Sequence, residues 1–212
     1  MSSLLVAFAV KEESRQFQKL VADQSNLKVL LTGIGQRNAE KAIHRALSEQ
    51  SPKLVLTCGF AGGLNPELAA GTVIFSADED FCLSPALLAV GARPAKFHCA
   101  KRVATTVEEK HALWQTTGAD AVEMESGFIR VICREHKIPS ATVRVISDAA
   151  NENLPLDFNR LMDTGQNLSY GKLAVTLAAS PGKISALLKL QRQTKAAAGK
   201  LAQVLAGIIP NP

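Results

Sequence analysis

The chain has 212 residues, 47% apolar, 20% charged and 5% aromatic, with a formal net charge of +5. That suffices for one large domain or two small ones with a proper core, and it excludes a disordered or collagen-like chain. No run approaches the ~18 apolar residues of a spanning helix, and MSSLLVAFAVKEE has neither a basic n-region nor a small-residue cleavage site, so a cytoplasmic protein is expected.

Apolar runs of strand length alternate with helix-like stretches. Leu4 to Val10, Leu27 to Thr32, Leu54 to Cys58, Val73 to Ser76 and Ala141 to Ile146 read as strands, several nearly continuous in Val, Ile and Leu, as strands covered on both faces are. Glu12 to Ala22, Arg37 to Glu49 and Ser126 to His136 read as helices, and Ser51-Pro52, Gly91 to Pro94 and Pro139 as turns. The alternation predicts an α/β fold, a single-domain three-layer sandwich around a mixed β-sheet, over residues 1–180. Beyond Asn151 the chain turns polar and irregular, and Ser180-Pro181-Gly182 opens a tail, residues 181–212, expected to be an appended amphipathic helix. Lys183, Lys189, Arg192, Lys195 and Lys200 all lie in this tail, with no acid among them, so the basic excess says little about the body and does not imply a nucleic-acid partner. Cys58, Cys82, Cys99 and Cys133 are scattered, without a CxxC pair or a histidine at zinc spacing; neither disulfides nor a bound metal are expected.

Four segments carry candidate chemistry. LKVLLTGIGQRNAEKA is a strand, a turn with Gly33 and Gly35, and a helix. It is not a dinucleotide fingerprint: Asn38 stands where a third glycine belongs, and the next strand ends in Thr57 and Cys58 rather than an acid for the ribose. Such a turn still aims backbone N–H groups where an anion, a hydroxyl or a water can be held. A second glycine-rich turn is expected at Cys58 to Gly63, through Gly59, Phe60 and Ala61. Two such turns at the carboxyl ends of neighbouring strands would line one crevice, or each is simply a tight turn. Glu123, Met124 and Glu125 precede an apolar helix, where acids serve either the helix dipole or a ligand. Ser147 and Asp148 end a buried strand, where Asp148 either caps the next segment or does chemistry.

AVKEES (9–14), TGIG (32–35), CGFAGGL (58–64), AVEMES (121–126) and VRVISDAAN (143–151), in that order and spacing, resemble the nucleoside phosphorylase and nucleosidase superfamily. In motif detail the chain is most similar to 5'-methylthioadenosine/S-adenosylhomocysteine nucleosidases. In length, shortened middle loop and tail it resembles the hopanoid-biosynthesis-associated phosphorylase subgroup, whose implied substrate is adenosylhopane.

The resemblance implies cleavage of the N-glycosidic bond of a 5'-substituted adenosine, with release of adenine. Asp148 matches the acid that protonates the purine at N7, for which it must hold a proton, as burial favours. Glu125 matches the acceptor of the ribose hydroxyls, Met124 the residue packed on the sugar, and Glu123 is a weaker neighbour. Glu13 matches the residue that holds the attacking water; by itself it reads as a helix-dipole acid. Ser147, Gly33, Gly35, Gly59, Phe60 and Ala61 fall in matched segments as substrate-binding candidates, and residues near Arg102 to Ala104 take the place of the base-contacting loop. Glu13 and Thr57 occupy the positions of the two phosphate-holding arginines, so the motifs favour water as nucleophile while the subgroup favours phosphate as a co-substrate; no other cofactor is implied. Phe60 replaces a usual serine, which leaves a nucleoside-binding protein without catalysis as the alternative. The resemblance further implies a homo-oligomer, a dimer by expectation. The basic amphipathic tail leaves two readings open, cover for the body or peripheral contact with the inner membrane.

Overall fold

A computed structural model of the chain describes residues 4–163, 171–172, 175–176 and 181–209. Its centre is a mixed eight-stranded sheet, six strands of which follow one path in the order β2-β1-β3-β8-β4-β5: β1 (Leu4–Phe8), β2 (Leu27–Leu31), β3 (Leu54–Gly63), β4 (Val73–Ala77), β5 (Arg93–Pro94) and β8 (Ser140–Asp148). A short arm, β7 (Ala121–Glu123) with β6 (Phe97–Cys99), leaves the main path by pairing with the end of β3. The pairs β1/β2, β1/β3 and β3/β8 are parallel, whereas β4 runs antiparallel to β8. Parallel neighbours need crossovers, which α1 (Lys11–Leu20) and α2 (Gln36–Glu49) supply between the first three strands.

Side-chain alternation builds the layers. In β1, Val6 and Phe8 face a core shared with Phe17 of α1, whereas Leu5 and Ala7 face Ala39 and Ile43 of α2 and Ile129 and Ile132 of α5 (Ser126–Glu135). This is the expected sandwich.

Several local expectations change. The turn at Gly91 to Pro94 contains β5, which pairs with Ile74 and Phe75, and the second glycine-rich turn is no turn. Cys58 to Gly63 continues β3 in register with β8, with an irregularity between Ala61 and Gly62. The glycines there thin the strand where side chains cross it, a role that sequence alone does not separate from turning. Also unforeseen are α3 (Ser84–Ala89), α4 (Val107–Thr117) and α6 (Phe158–Leu161), of which α4 opens on a capping box, Thr106 accepting from the Glu109 N–H.

The tail is one long helix, α7 (Ile184–Ile208), entered through a 3-10 turn at Pro181–Lys183; residues 164–170 and the chain just before Pro181 lie outside the described residues. Its second half, with Ala197, Leu201, Val204, Leu205 and Ile208, is buried in the same core as Val6 and Phe17. The helix is therefore part of the domain rather than an appendage, because its apolar stripe closes the face of the sheet that α1 leaves open.

Candidate active site

The strand β8 is buried along its whole length, yet it carries an arginine at its centre, Arg144, 1% exposed. An unpaired guanidinium there would cost several kcal/mol, so its partners organise everything around it. Its Nη2 donates to Glu123 Oε2 at 2.6 Å and lies 3.5 Å from Glu125 Oε2 and 3.4 Å from Thr57 Oγ1. Burial opposes its charge, but Glu123, Glu125 and Glu13 together push its pKa above the ordinary arginine value. Directly across the ladder is Gly59, at φ +151°; a Cβ there would strike Arg144 Nη1 and sit 2.5 Å from Glu13 Oε1. Glycine is required because two charged side chains pass over this backbone.

Three carboxylates surround the arginine, each held differently. Glu13, 5% exposed on the first turn of α1, accepts from the N–H groups of Ala9 (3.0 Å) and Val10 (3.2 Å) with one oxygen and from Phe60 N–H (2.8 Å) with the other. Its helix-terminal role is real, and the second oxygen ties α1 to β3. Burial raises its pKa above the usual carboxylate value, against the pull of Arg144 and these N–H groups. Glu123 accepts from the Glu125 and Ser126 N–H groups and the Ser126 hydroxyl, so it caps α5 as well as pairing with Arg144. Burial works against its ionisation, but Arg144 and these donors hold its pKa below the ordinary value. Glu125 accepts from the Gly35 N–H at 2.9 Å; burial pushes its pKa up to about 7, with Arg144 opposing and Glu123 reinforcing the rise. Neighbouring acids are thus set apart, one ionised and two inclined to take a proton.

Asp148 ends β8 with its side chain 9% exposed. Ser147 Oγ donates to Oδ1 and Lys110 Nζ to Oδ2, each at 2.5 Å. Lys110, from α4, is fully buried and also donates to the carbonyls of Ala149 and Glu152. Asp148 is buried, as the resemblance requires, and its burial comes with a counter-charge. Nothing in VEEKHALW marks this lysine as special, since charges on a helix are usually solvated, whereas a charge inside VRVIS is an anomaly that could have singled out Arg144.

A cavity of about 280 Å³ opens on this cluster. Glu13, Phe60, Ala61, Glu123, Met124, Glu125, Ser147 and Asp148 all line it, as do Arg102, Val103 and Ala104 from the segment expected near the base. Val103, however, has its N–H and carbonyl bonded to the Asn159 side chain. Apolar Leu154, Phe158, Met162 and, from α7, Leu190 also line it. Gly33, Gly35 and Gly59 are corrected: none lines the cavity. The Gly33 N–H bonds Ala9 O, Gly35 holds Glu125, and Gly59 makes room for Arg144 and Glu13, so the anion that the first turn holds is the protein's own carboxylate. Arg102, at the rim, is paired with Glu109 at 2.6 Å. Among the described residues no group of three His, Cys, Asp or Glu side chains is placed to hold a metal ion.

This arrangement can be set beside known proteins. The chain is 24% identical over 174 residues, 66% of its length and 75% of the relative's, to a 5'-methylthioadenosine/S-adenosylhomocysteine nucleosidase of Anoxybacillus flavithermus. It is 26% identical over 165 residues, covering 62% and 72% of the two chains, to the enzyme of that name from Shewanella loihica. Among solved structures, the futalosine hydrolase of Helicobacter pylori superposes with a TM-score of 0.73 at 15% identity, covering 98% of this chain and 97% of that one. The 5'-methylthioadenosine/S-adenosylhomocysteine nucleosidase of Helicobacter pylori, with butyl-thio-DADMe-Immucillin-A, superposes with a TM-score of 0.74 at 15% identity and the same coverage. At such identities these likenesses establish the fold. The family model of the Phosphorylase superfamily matches residues 12–95 and 93–170, most of the chain and every segment of the cluster just described, so the chain belongs to the phosphorylase superfamily and is an enzyme of it.

Proposed function

We propose that the enzyme hydrolyses the N-glycosidic bond of a 5'-substituted adenosine and releases adenine. One observation carries the choice of water over phosphate: the Glu13 carboxylate, held by three backbone N–H groups beside Arg144, stands in the cavity wall where the superfamily resemblance puts a phosphate-holding cation. A phosphate dianion would meet Glu13, Glu123 and Glu125, while Arg144 is already committed to carboxylates. Water suits the same place, since Glu13 can accept its proton as the new C–O bond forms.

The roles follow from position. Glu125 takes the ribose hydroxyls and stabilises positive charge on the sugar as the bond to the base lengthens; Met124 packs on the sugar. Asp148, with Ser147, faces the purine and delivers the proton without which the base departs as a poor anion. Phe60 contributes its backbone N–H to Glu13, a role that its side chain does not impair, which favours an enzyme over a binder without catalysis. The nucleosidases with nucleoside analogues bound, such as that of Neisseria meningitidis with methylthio-immucillin-A, support a nucleoside as the small-molecule ligand.

The apolar wall of Leu154, Phe158, Met162 and Leu190 supports a hydrocarbon-like 5' group, adenosylhopane being the extreme case. On the first half of α7, Ile184 (44% exposed) and Leu188 (47%) sit one turn apart among Lys183, Lys189 and Arg192, which supports peripheral contact with anionic lipid for such a substrate. No helix of the described residues is long and apolar enough to cross a membrane. Free adenine measured from 5'-substituted adenosines, with and without phosphate, tests the reading. Release in phosphate-free buffer with a free ribosyl product is expected; strict phosphate dependence with a ribose-1-phosphate product makes it a phosphorylase, and binding without release makes it a binder.

A further inference from the structure

Lys110 has no part in the chemistry described so far, yet it is the cation in contact with Asp148. Its ammonium has three N–H bonds and meets three acceptors: Asp148 Oδ2 at 2.5 Å and the carbonyls of Ala149 and Glu152, each at 2.8 Å. If one proton moves from Nζ to the carboxylate, the amine keeps two N–H bonds for the two carbonyls, and its lone pair accepts from the new Asp148 O–H. Both arrangements leave every polar atom bonded, so neither strands a buried group. The Glu152 carboxylate does not compete, because it accepts from the Ala149 N–H at 3.0 Å and faces Gln193 and Lys189 on α7.

Taking adenine release as the reaction, we propose that Lys110 is a positioning residue that acts through Asp148 as the proton reserve for the leaving base. As the C1'–N9 bond breaks, its electron pair goes to the purine and the Asp148 O–H bond breaks as N7–H forms. The proton on Asp148 comes from Lys110, whose N–H bond breaks and leaves the pair on Nζ. The attacking water loses its proton to Glu13 as C1'–O forms, and after product release Glu13 gives that proton to solvent while solvent returns one proton to Lys110. The net reaction consumes one water. This places the proton source on α4, outside the five sequence motifs that carry the resemblance.

The test compares leaving groups. Wild type, Lys110→Met and Lys110→Arg are assayed on a 5'-substituted adenosine and on a p-nitrophenyl riboside, whose phenolate leaves without a proton; adenine binding by calorimetry verifies that each variant keeps its site. Lys110→Met is expected to lower kcat on the adenosine by ~10²-fold or more, within the range for a general acid, with KM changed less than about threefold. It should lose under about threefold on the riboside, and Lys110→Arg should lose about as much as Lys110→Met on the adenosine, because a guanidinium keeps its protons and cannot pass one to Asp148; recovery by Lys110→Arg means that Lys110 supplies charge and not a proton, and overturns the proposal. Equal losses on both substrates mean that Lys110 only holds the fold of residues 149–152, and unchanged adenosine turnover removes it altogether; either result overturns the proposal. A wild type that releases no base from any nucleoside instead overturns the proposed function.

Discussion

At the residue scale, a buried arginine and a buried lysine decide what the neighbouring acids can do. Arg144 keeps Glu123 ionised, while Glu13 and Glu125, more weakly compensated, are pushed upward by burial. Replacing Asp148 by Asn keeps hydrogen bonding to a purine but removes the transferable proton, so kcat for adenine release should fall by ~10²–10⁴ with KM within a few-fold. Steady-state kinetics on a 5'-substituted adenosine checks this, and near wild-type turnover would remove Asp148 from the reaction. Glu125 makes a stability prediction. Its folded pKa, about 7, lies above the carboxylate reference of 4.5, so the native state binds the proton more tightly than the unfolded chain. That contribution is fully present below the unfolded value and is lost as pH rises through about 7; the gap corresponds to ~3 kcal/mol at most. Denaturant unfolding between pH 4.5 and 7.5 should show stability falling more steeply in wild type than in Glu125→Gln, and parallel curves would contradict the assignment.

At the element scale, β3 and α7 each do something that their sequences disguise. The end of β3 looks like a turn because it is rich in glycine, but Gly59 is there so that Glu13 and Arg144 can cross the strand. Gly59→Ala should therefore cost ~1–3 kcal/mol through backbone strain and displaced charges. It should also reduce adenine release far more than it reduces substrate binding, since it moves Glu13 and not the base pocket. Unfolding curves with kinetics check both, and a neutral variant would show that the strand relaxes around a methyl group. In α7 the first half is exposed and basic while the second is core, each Leu or Val there worth ~1.5–3 kcal/mol by burial, so deletion of the helix would unfold the protein rather than test its surface. Ile184→Asp with Leu188→Asp changes only exposed positions. Co-sedimentation of wild type with anionic liposomes at low salt, reduced by this double substitution and by high salt, is the expected outcome; equal sedimentation of both forms leaves the exposed half of α7 merely solvated.

At the scale of the whole molecule, the site is assembled from both ends of the chain. Glu13 comes from the first helix, Glu123 and Glu125 from β7 and the start of α5, Asp148 from the end of β8, and Leu190 and Thr194 from α7. Strand ends converge there because parallel β1, β3 and β8 all direct their carboxyl ends to one edge of the sheet. The dimer expected from the family resemblance would have a sedimenting mass about twice the 22.6 kDa of one chain; analytical ultracentrifugation at micromolar protein distinguishes it from a monomer.

Sequence by itself determined the elements whose signal is local. Continuous Val/Ile/Leu runs mark β1, β3 and β8 because strands buried on both faces have no polar side to alternate with, and helical spacing marks α2 and α5. It also placed Glu13, Glu125 and Asp148 at element ends, where the carboxyl edge of a sheet collects polar groups. Tertiary structure alone decided which acid meets which cation. Glu123 and Glu125, two residues apart, differ because one caps α5 against Arg144 and the other accepts from the Gly35 N–H at the start of α2. Lys110 lies 38 positions from Asp148, and α7 enters the core only because the sheet leaves a face uncovered. Protonation and burial depend on distances through space, and no local pattern of residues encodes those distances.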